Sequence, residues 1–168
     1  MSLLSGAMLN IDAEKKLNKA VISRSIRDAL VDGESVLLKV NGNSMLPVLK
    51  PGDRVKLQTA NAYYPGDLIA YYSPNLDFEI VHRFVGKFRW RKDLRYSLIA
   101  DNGGRADPLV SNSDILGRVV SINNTNYSTP VLVRIKCRIV FLSWLCQAIL
   151  GKIFAVRTKH KNDVCPDR

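Results

Sequence analysis

Val40-Asn41-Gly42-Asn43-Ser44-Met45-Leu46-Pro47-Val48-Leu49-Lys50-Pro51-Gly52-Asp53-Arg54-Val55 is a turn-forming stretch between two strand-like runs. Ahead of it, Ser35 to Val40 is short and apolar; behind it, Arg54 to Leu57 alternates. Glycine and asparagine accept backbone angles that other residues resist, and proline fixes its own φ. A turn built this way can hold the hydroxyl of Ser44 clear of a sheet. Most serines in turns only cap backbone groups, so the rest of the chain must decide whether Ser44 does more.

The same punctuation continues downstream. Pro65-Gly66-Asp67 is a second turn and opens a strand over Leu68 to Tyr72. Further strands are expected over Phe78 to Phe88, Tyr96 to Ala100 and Ile115 to Ile122, the last opening after Ser113 and Asp114. Short strands between Gly/Pro turns, with no helical pattern among them, predict an antiparallel, mainly β domain, either a coiled barrel or a sandwich. No internal repeat or low-complexity segment interrupts it.

Upstream, Ala13 to Val31 reads as a helix, with Asp12 as N-cap and Gly33 as stop. Leu17, Val21, Ala29 and Leu30 are expected to share its apolar stripe, with Ile26 at the edge and Lys15, Lys16, Lys19, Arg24 and Arg27 facing out. Asn123 to Pro130 is a polar linker. After it the chain becomes apolar and basic, and Ile139 to Leu150 carries no charge. The organisation expected is a basic helical segment at 1–34, a β domain at 35–123, a linker at 124–130 and an apolar, basic C-terminal helix and tail at 131–168.

The uncharged C-terminal run is too short to cross a bilayer, and extending it takes in Lys152. An interfacial helix or a marginal anchor is one reading, with the basic flanks of 131–161 meeting an anionic membrane surface. The other is an amphipathic helix that covers a sheet face or makes a dimer.

Composition sets the outer limits. A chain of 168 residues buries one core, and 46% hydrophobic with 24% charged residues excludes wholesale disorder. The net charge of +10 suits an anionic partner or simple solubility. Nucleic acid is not the expected partner, because a single basic helix lacks the second helix of a groove reader. Cys137, Cys146 and Cys165 have neither zinc-site nor disulfide-framework spacing, so a reducing compartment is expected. The opening Met-Ser-Leu-Leu-Ser-Gly-Ala-Met lacks the charged start and long apolar run of a cleavable signal peptide. Location is therefore expected to be membrane-associated or cytoplasmic.

A serine nucleophile needs a base. Of the two histidines, His160 sits in a basic tail between Lys159 and Lys161, while His82 lies within a strand. By the two-residue period, Ile80, His82 and Phe84 share one face and Val81 and Arg83 the other. A histidine base needs a group to orient it, commonly a carboxylate. Asp101 and Asp107, in Leu98-Ile99-Ala100-Asp101-Asn102-Gly103-Gly104-Arg105-Ala106-Asp107-Pro108-Leu109, are the two candidates.

Five short motifs then align in order: Asn43-Ser44-Met45 with Pro47, Lys50-Pro51-Gly52-Asp53, Pro65 to Tyr71, Val81-His82-Arg83, and Ala100-Asp101-Asn102. Over Ser35 to Ile122 the chain resembles the type I signal peptidases, in the branch that uses histidine where the common bacterial enzymes use lysine. The resemblance implies a coiled, mainly β fold shared with LexA-like self-cleaving repressors. It implies a serine endopeptidase acting on a leader or exported precursor, without cofactor or metal. Ser44 would be the nucleophile and His82 the general base. Asp101 would be the acidic partner, with Asp107 a second acidic position. The Ser44 N–H would help bind the oxyanion, and Met45 would lie beside the substrate cleft. The chain differs from the family in having Ala100 where glycine is usual, and in carrying its apolar segment at the C-terminus. A catalytically silent or self-cleaving LexA-like regulatory or DNA-binding module is the alternative.

Overall fold

The computed structural model describes residues 21–103 and 106–162, with side chains as far as 148 apart from Trp90. Eight strands follow a helix: β1 (Val36–Lys39), β2 (Arg54–Gln58), β3 (Leu68–Ser73), β4 (Phe78–Trp90), β5 (Asp93–Ile99), β6 (Val110–Ser111), β7 (Ile115–Ile122) and β8 (Thr125–Asn126). They form one open antiparallel sheet in the order β1-β2-β7-β3-β4-β5-β6, with β8 paired to β7. The expected mainly β architecture, flanked by an N-terminal and a C-terminal helix, is what the chain adopts. The long strands fall where alternation and Pro-Gly turns predict them. The two-residue strands β6 and β8 have no periodicity to announce them, and β8 lies inside the stretch read as a linker.

β3 lies at the middle of the core because both of its faces are apolar. Leu68 and Ala70 point into one cluster with Leu30, Met45, Leu49, Val55 and Leu57. Ile69 and Tyr71 point into a second with Phe84, Tyr96, Leu98 and Val110. A strand buried on both sides needs a cover on each. β4 turns from one partner to another along its length. Residues 78–83 pair with β3 and residues 83–90 with β5, across a register shift between Phe84 and Gly86. Such a bulge bends the strand and increases its twist, which coils the sheet.

The N-terminal helix α1 is helical over the described residues 21–31; Asp12 and Leu17 lie outside the described residues. Gly33 stops it at φ +83°, where L side chains are strained. Its contact face differs from the one expected. Leu30 is fully buried, Ser23 is buried and Ile26 packs on the first cluster, whereas Val21 is 54% exposed. The cause is docking by Ser23, Ile26 and Leu30, spaced three and four apart, with Ser23 Oγ donating to Glu79 at 2.5 Å. Arg27, expected to face out, has its Nε buried without a hydrogen-bond partner among the described residues.

The C-terminal helix α2 (Val131–Asn162) seats on β4. Gly86 makes the seat: a Cβ there would lie 2.4 Å from the ring of Phe141. Arg134 reaches back to Asp67 at 3.3 Å, and its guanidinium lies 5.9 Å from the centre of the Tyr64 ring. The linker is packed too. Tyr127 joins the first cluster, and Thr129 Oγ1 donates to the Gly66 carbonyl at 2.9 Å.

Candidate active site

Ser44 lies in the turn between β1 and β2, half-buried, just ahead of the fully packed Met45. The turn is tied from below: Leu49 N–H bonds the Met45 carbonyl at 2.9 Å, and the Leu46–Pro47 bond is cis. It is tied from the side by Asn102. The Asn102 N–H donates to the Ser44 carbonyl at 2.8 Å, and its side-chain amide donates to the Asn43 carbonyl at 3.2 Å. The loop after β5 therefore holds the serine turn in place.

His82 is 7% exposed on the face of β4 shared with Ile80 and Phe84, as the two-residue period requires. The edge of its ring meets Tyr71, 6.2 Å between centroids. Its Nδ1 lies 2.5 Å from Asp107 Oδ2. An ionised carboxylate can only accept, so Nδ1 carries the hydrogen and Nε2 is the basic nitrogen of the neutral ring. That Nε2 is buried and has no hydrogen-bond partner among the described residues. It is thus not bonded to Ser44 in this state.

The expected pairing of Asp101 with His82 does not occur. Asp101 is held instead by Arg83, whose Nε and Nη2 donate to its two oxygens at 2.6 and 2.5 Å. The reason lies in the loop. Ile99 bridges to Ala106 and the Asp107 N–H bonds the Leu98 carbonyl at 3.0 Å. The chain doubles back, bringing Asp107 level with Leu98, which pairs with Phe84 beside His82. Asp101 is left on the side of Arg83.

Arg83 is the residue that sequence reasoning left without a role. It is 4% exposed and binds three parts of the fold: Asp101, the Gly66 carbonyl at 2.7 Å and the Tyr127 hydroxyl at 3.4 Å. Burial alone would favour loss of its proton; the bonds to Asp101 and Tyr127 outweigh that and raise its pKa. The Val-His-Arg motif signalled it, since an arginine on the inward face of a strand needs a buried partner. Asn102, inside Ala-Asp-Asn, was legible only as a turn residue. Beside Asp107, Tyr71 is buried, and its phenol is pushed up by burial first and by the Asp107 charge second.

A cleft of about 380 Å³ opens at Ser44, lined by Met45, by Leu38 to Val40 and by Phe78 to Val81. Its two walls are strand edges without a further strand partner among the described residues, where β1 pairs with β2 and residues 78–82 of β4 with β3. Exposed edges of this kind accept an extended peptide as an added strand. Among the described residues no cluster of His, Cys, Asp or Glu is arranged to hold a metal ion.

A turn serine, a strand histidine held by a carboxylate and a cleft between open strand edges are the parts of a serine-peptidase fold. Residues 5–120, more than half of the chain, match the model of the Peptidase S24-like family. The chain belongs to that family, within the superfamily that joins LexA-like regulators and signal peptidases. No curated protein matches it.

Proposed function

We propose that the protein is a serine endopeptidase of the histidine-using signal-peptidase type, cleaving a leader or exported precursor. One observation carries this reading: Asp107 holds His82 by Nδ1 while Nε2 is buried and unpartnered. A histidine held that way offers its basic nitrogen to a hydroxyl. The substrate lies as an extended strand in the cleft between β1 and β4, its scissile carbonyl at Ser44. His82 does not line the cleft in this structure, so catalysis requires its Nε2 to come within hydrogen-bond reach of Ser44 when the peptide binds.

Ser44 Oγ attacks the carbonyl carbon as His82 Nε2 takes its proton. The Ser44 N–H stabilises the oxyanion. Collapse breaks the C–N bond, and His82 returns the proton to the leaving amine. Water then attacks the acyl-enzyme, giving its proton to His82; collapse breaks the ester C–Oγ bond, His82 returns that proton to Ser44 Oγ, and the carboxylic acid product leaves. Asp107 fixes the tautomer and steadies the imidazolium. The Arg83–Asp101 pair and Asn102 set the two halves of the site in register.

The test is cleavage of a mixed library of leader-like peptides in detergent, read by mass spectrometry, with wild type beside Ser44→Ala. Products from wild type alone are expected. Equal cleavage by Ser44→Ala would sink the reading. The intact mass of wild type incubated alone distinguishes the self-cleaving regulator of the same family, which would shorten its own chain.

A further inference from the structure

We infer that α2 lays its outer face on an anionic lipid surface. α2 has two apolar sides. Cys137 and Phe141 face the sheet, over Gly86. On the other side, Leu132, Ile135 and Ile139 point away from the fold, and Leu142, three residues on, continues the stripe at its edge, where it also borders a hollow over Gly86. Leu132 is 80% exposed, Ile139 62% and Leu142 58%. No described residue covers this contiguous apolar stripe, and stripes of this kind mark an interaction surface.

Charge decides the occupant. The 32 residues of α2 contain no Asp or Glu. They carry Arg134, Lys136 and Arg138 near the start and Lys152, Arg157, Lys159 and Lys161 further on. Only Arg134 has a described acidic partner, Asp67. Two copies packed stripe to stripe would face cations with cations, whereas paired helices rely on opposite charges beside the seam. An anionic headgroup layer satisfies both features, taking the stripe at the acyl boundary and the cations at the phosphates. Among the described residues no helix is long and apolar enough to cross a membrane, so contact is in the plane of the surface. Phe141 over Gly86 and Arg134 on Asp67 join α2 to the same sheet that carries the cleft at Ser44.

The experiment is flotation of the full chain with phosphatidylcholine vesicles, with and without phosphatidylglycerol. Removing α2 altogether would strip the cover from β4, so point substitutions on exposed positions are used. Wild type is expected to float with the anionic vesicles and to be released by salt. Ile139→Gln with Leu142→Gln lowers partitioning roughly tenfold or more. Lys136→Gln with Arg138→Gln lowers it about fivefold per charge. All variants keep the wild-type unfolding midpoint, and Ser44→Ala floats as wild type does, whether or not cleavage is seen. Wild type left unbound by anionic vesicles overturns the inference. So does unchanged flotation of Ile139→Gln with Leu142→Gln. A wild-type dimer dispersed by that pair, without vesicle binding, assigns the stripe to a second copy instead.

Discussion

Two carboxylates in one loop do different things. Asp107 meets a histidine that needs a fixed tautomer; Asp101 meets an arginine that needs a counter-charge. Exchange to asparagine separates the roles. Asp107→Asn replaces the charged acceptor of the His82 Nδ1 hydrogen with a neutral amide whose NH2 can donate to Nδ1 and favour the other tautomer, and turnover is expected to fall by roughly three to four orders of magnitude. Its unfolding free energy should stay within about 1 kcal/mol of wild type. Asp101→Asn leaves the Arg83 charge buried without its partner, which costs about 3–5 kcal/mol. Urea denaturation beside steady-state cleavage reads both. Loss of activity at full stability in Asp101→Asn would mean that Asp101, not Asp107, orients the base. Both residues were legible in the sequence, but their order of importance was not. Chain distance says nothing about the doubling-back at Ile99 and Ala106 that hands Asp107 to the histidine.

At the scale of elements, two glycines set how closely neighbours approach. At Gly86 the obstacle to a side chain is the Phe141 ring, which belongs to a helix that can lift. Gly86→Ala is expected to cost about 1–3 kcal/mol by overpacking and to loosen α2. At Gly117 the obstacle is the Gln58 carbonyl at 2.7 Å, part of the β2–β7 ladder. A backbone cannot rotate aside as a ring can, so Gly117→Ala should cost more. Denaturant midpoints rank the two, and hydrogen exchange shows where each loosens: α2 amides for Gly86→Ala, β2 and β7 amides for Gly117→Ala. The reverse ranking would argue against α2 as the mobile neighbour. Neither glycine lies in a turn, and a sequence pattern gives no sign that a ring or a carbonyl stands over it.

At the scale of the molecule, the second core cluster gathers Tyr63, Tyr71 and Tyr96 around Phe84. Burial, first among the causes in each case, pushes all three phenols above their ordinary 10.0. The sign follows from linkage. The folded state favours the neutral phenol, so its contribution is intact below pH 10 and is lost as pH rises toward the folded values. Urea midpoints should hold up to about pH 10 and then fall, less steeply in Tyr71→Phe. A Tyr71→Phe profile parallel to wild type would remove Tyr71 from that alkaline limb.

The sequence by itself determined the strands, the serine turn and the candidate base. Alternation of side chains and the backbone limits of Gly, Pro and Asn are local properties, and Val40 to Val55 shows them without help from the rest of the chain. Only the tertiary structure decided which aspartate serves His82, what Arg83 binds and which side of α2 is covered. Those outcomes depend on strand register, on a bulge at Phe84 and Gly86 and on a loop that folds back. Each brings together residues far apart in the chain, and no local period encodes such a meeting. Val21 makes the same point on a small scale: its spacing predicts a place on the apolar stripe, but docking of α1 through Ser23, Ile26 and Leu30 turns it to solvent.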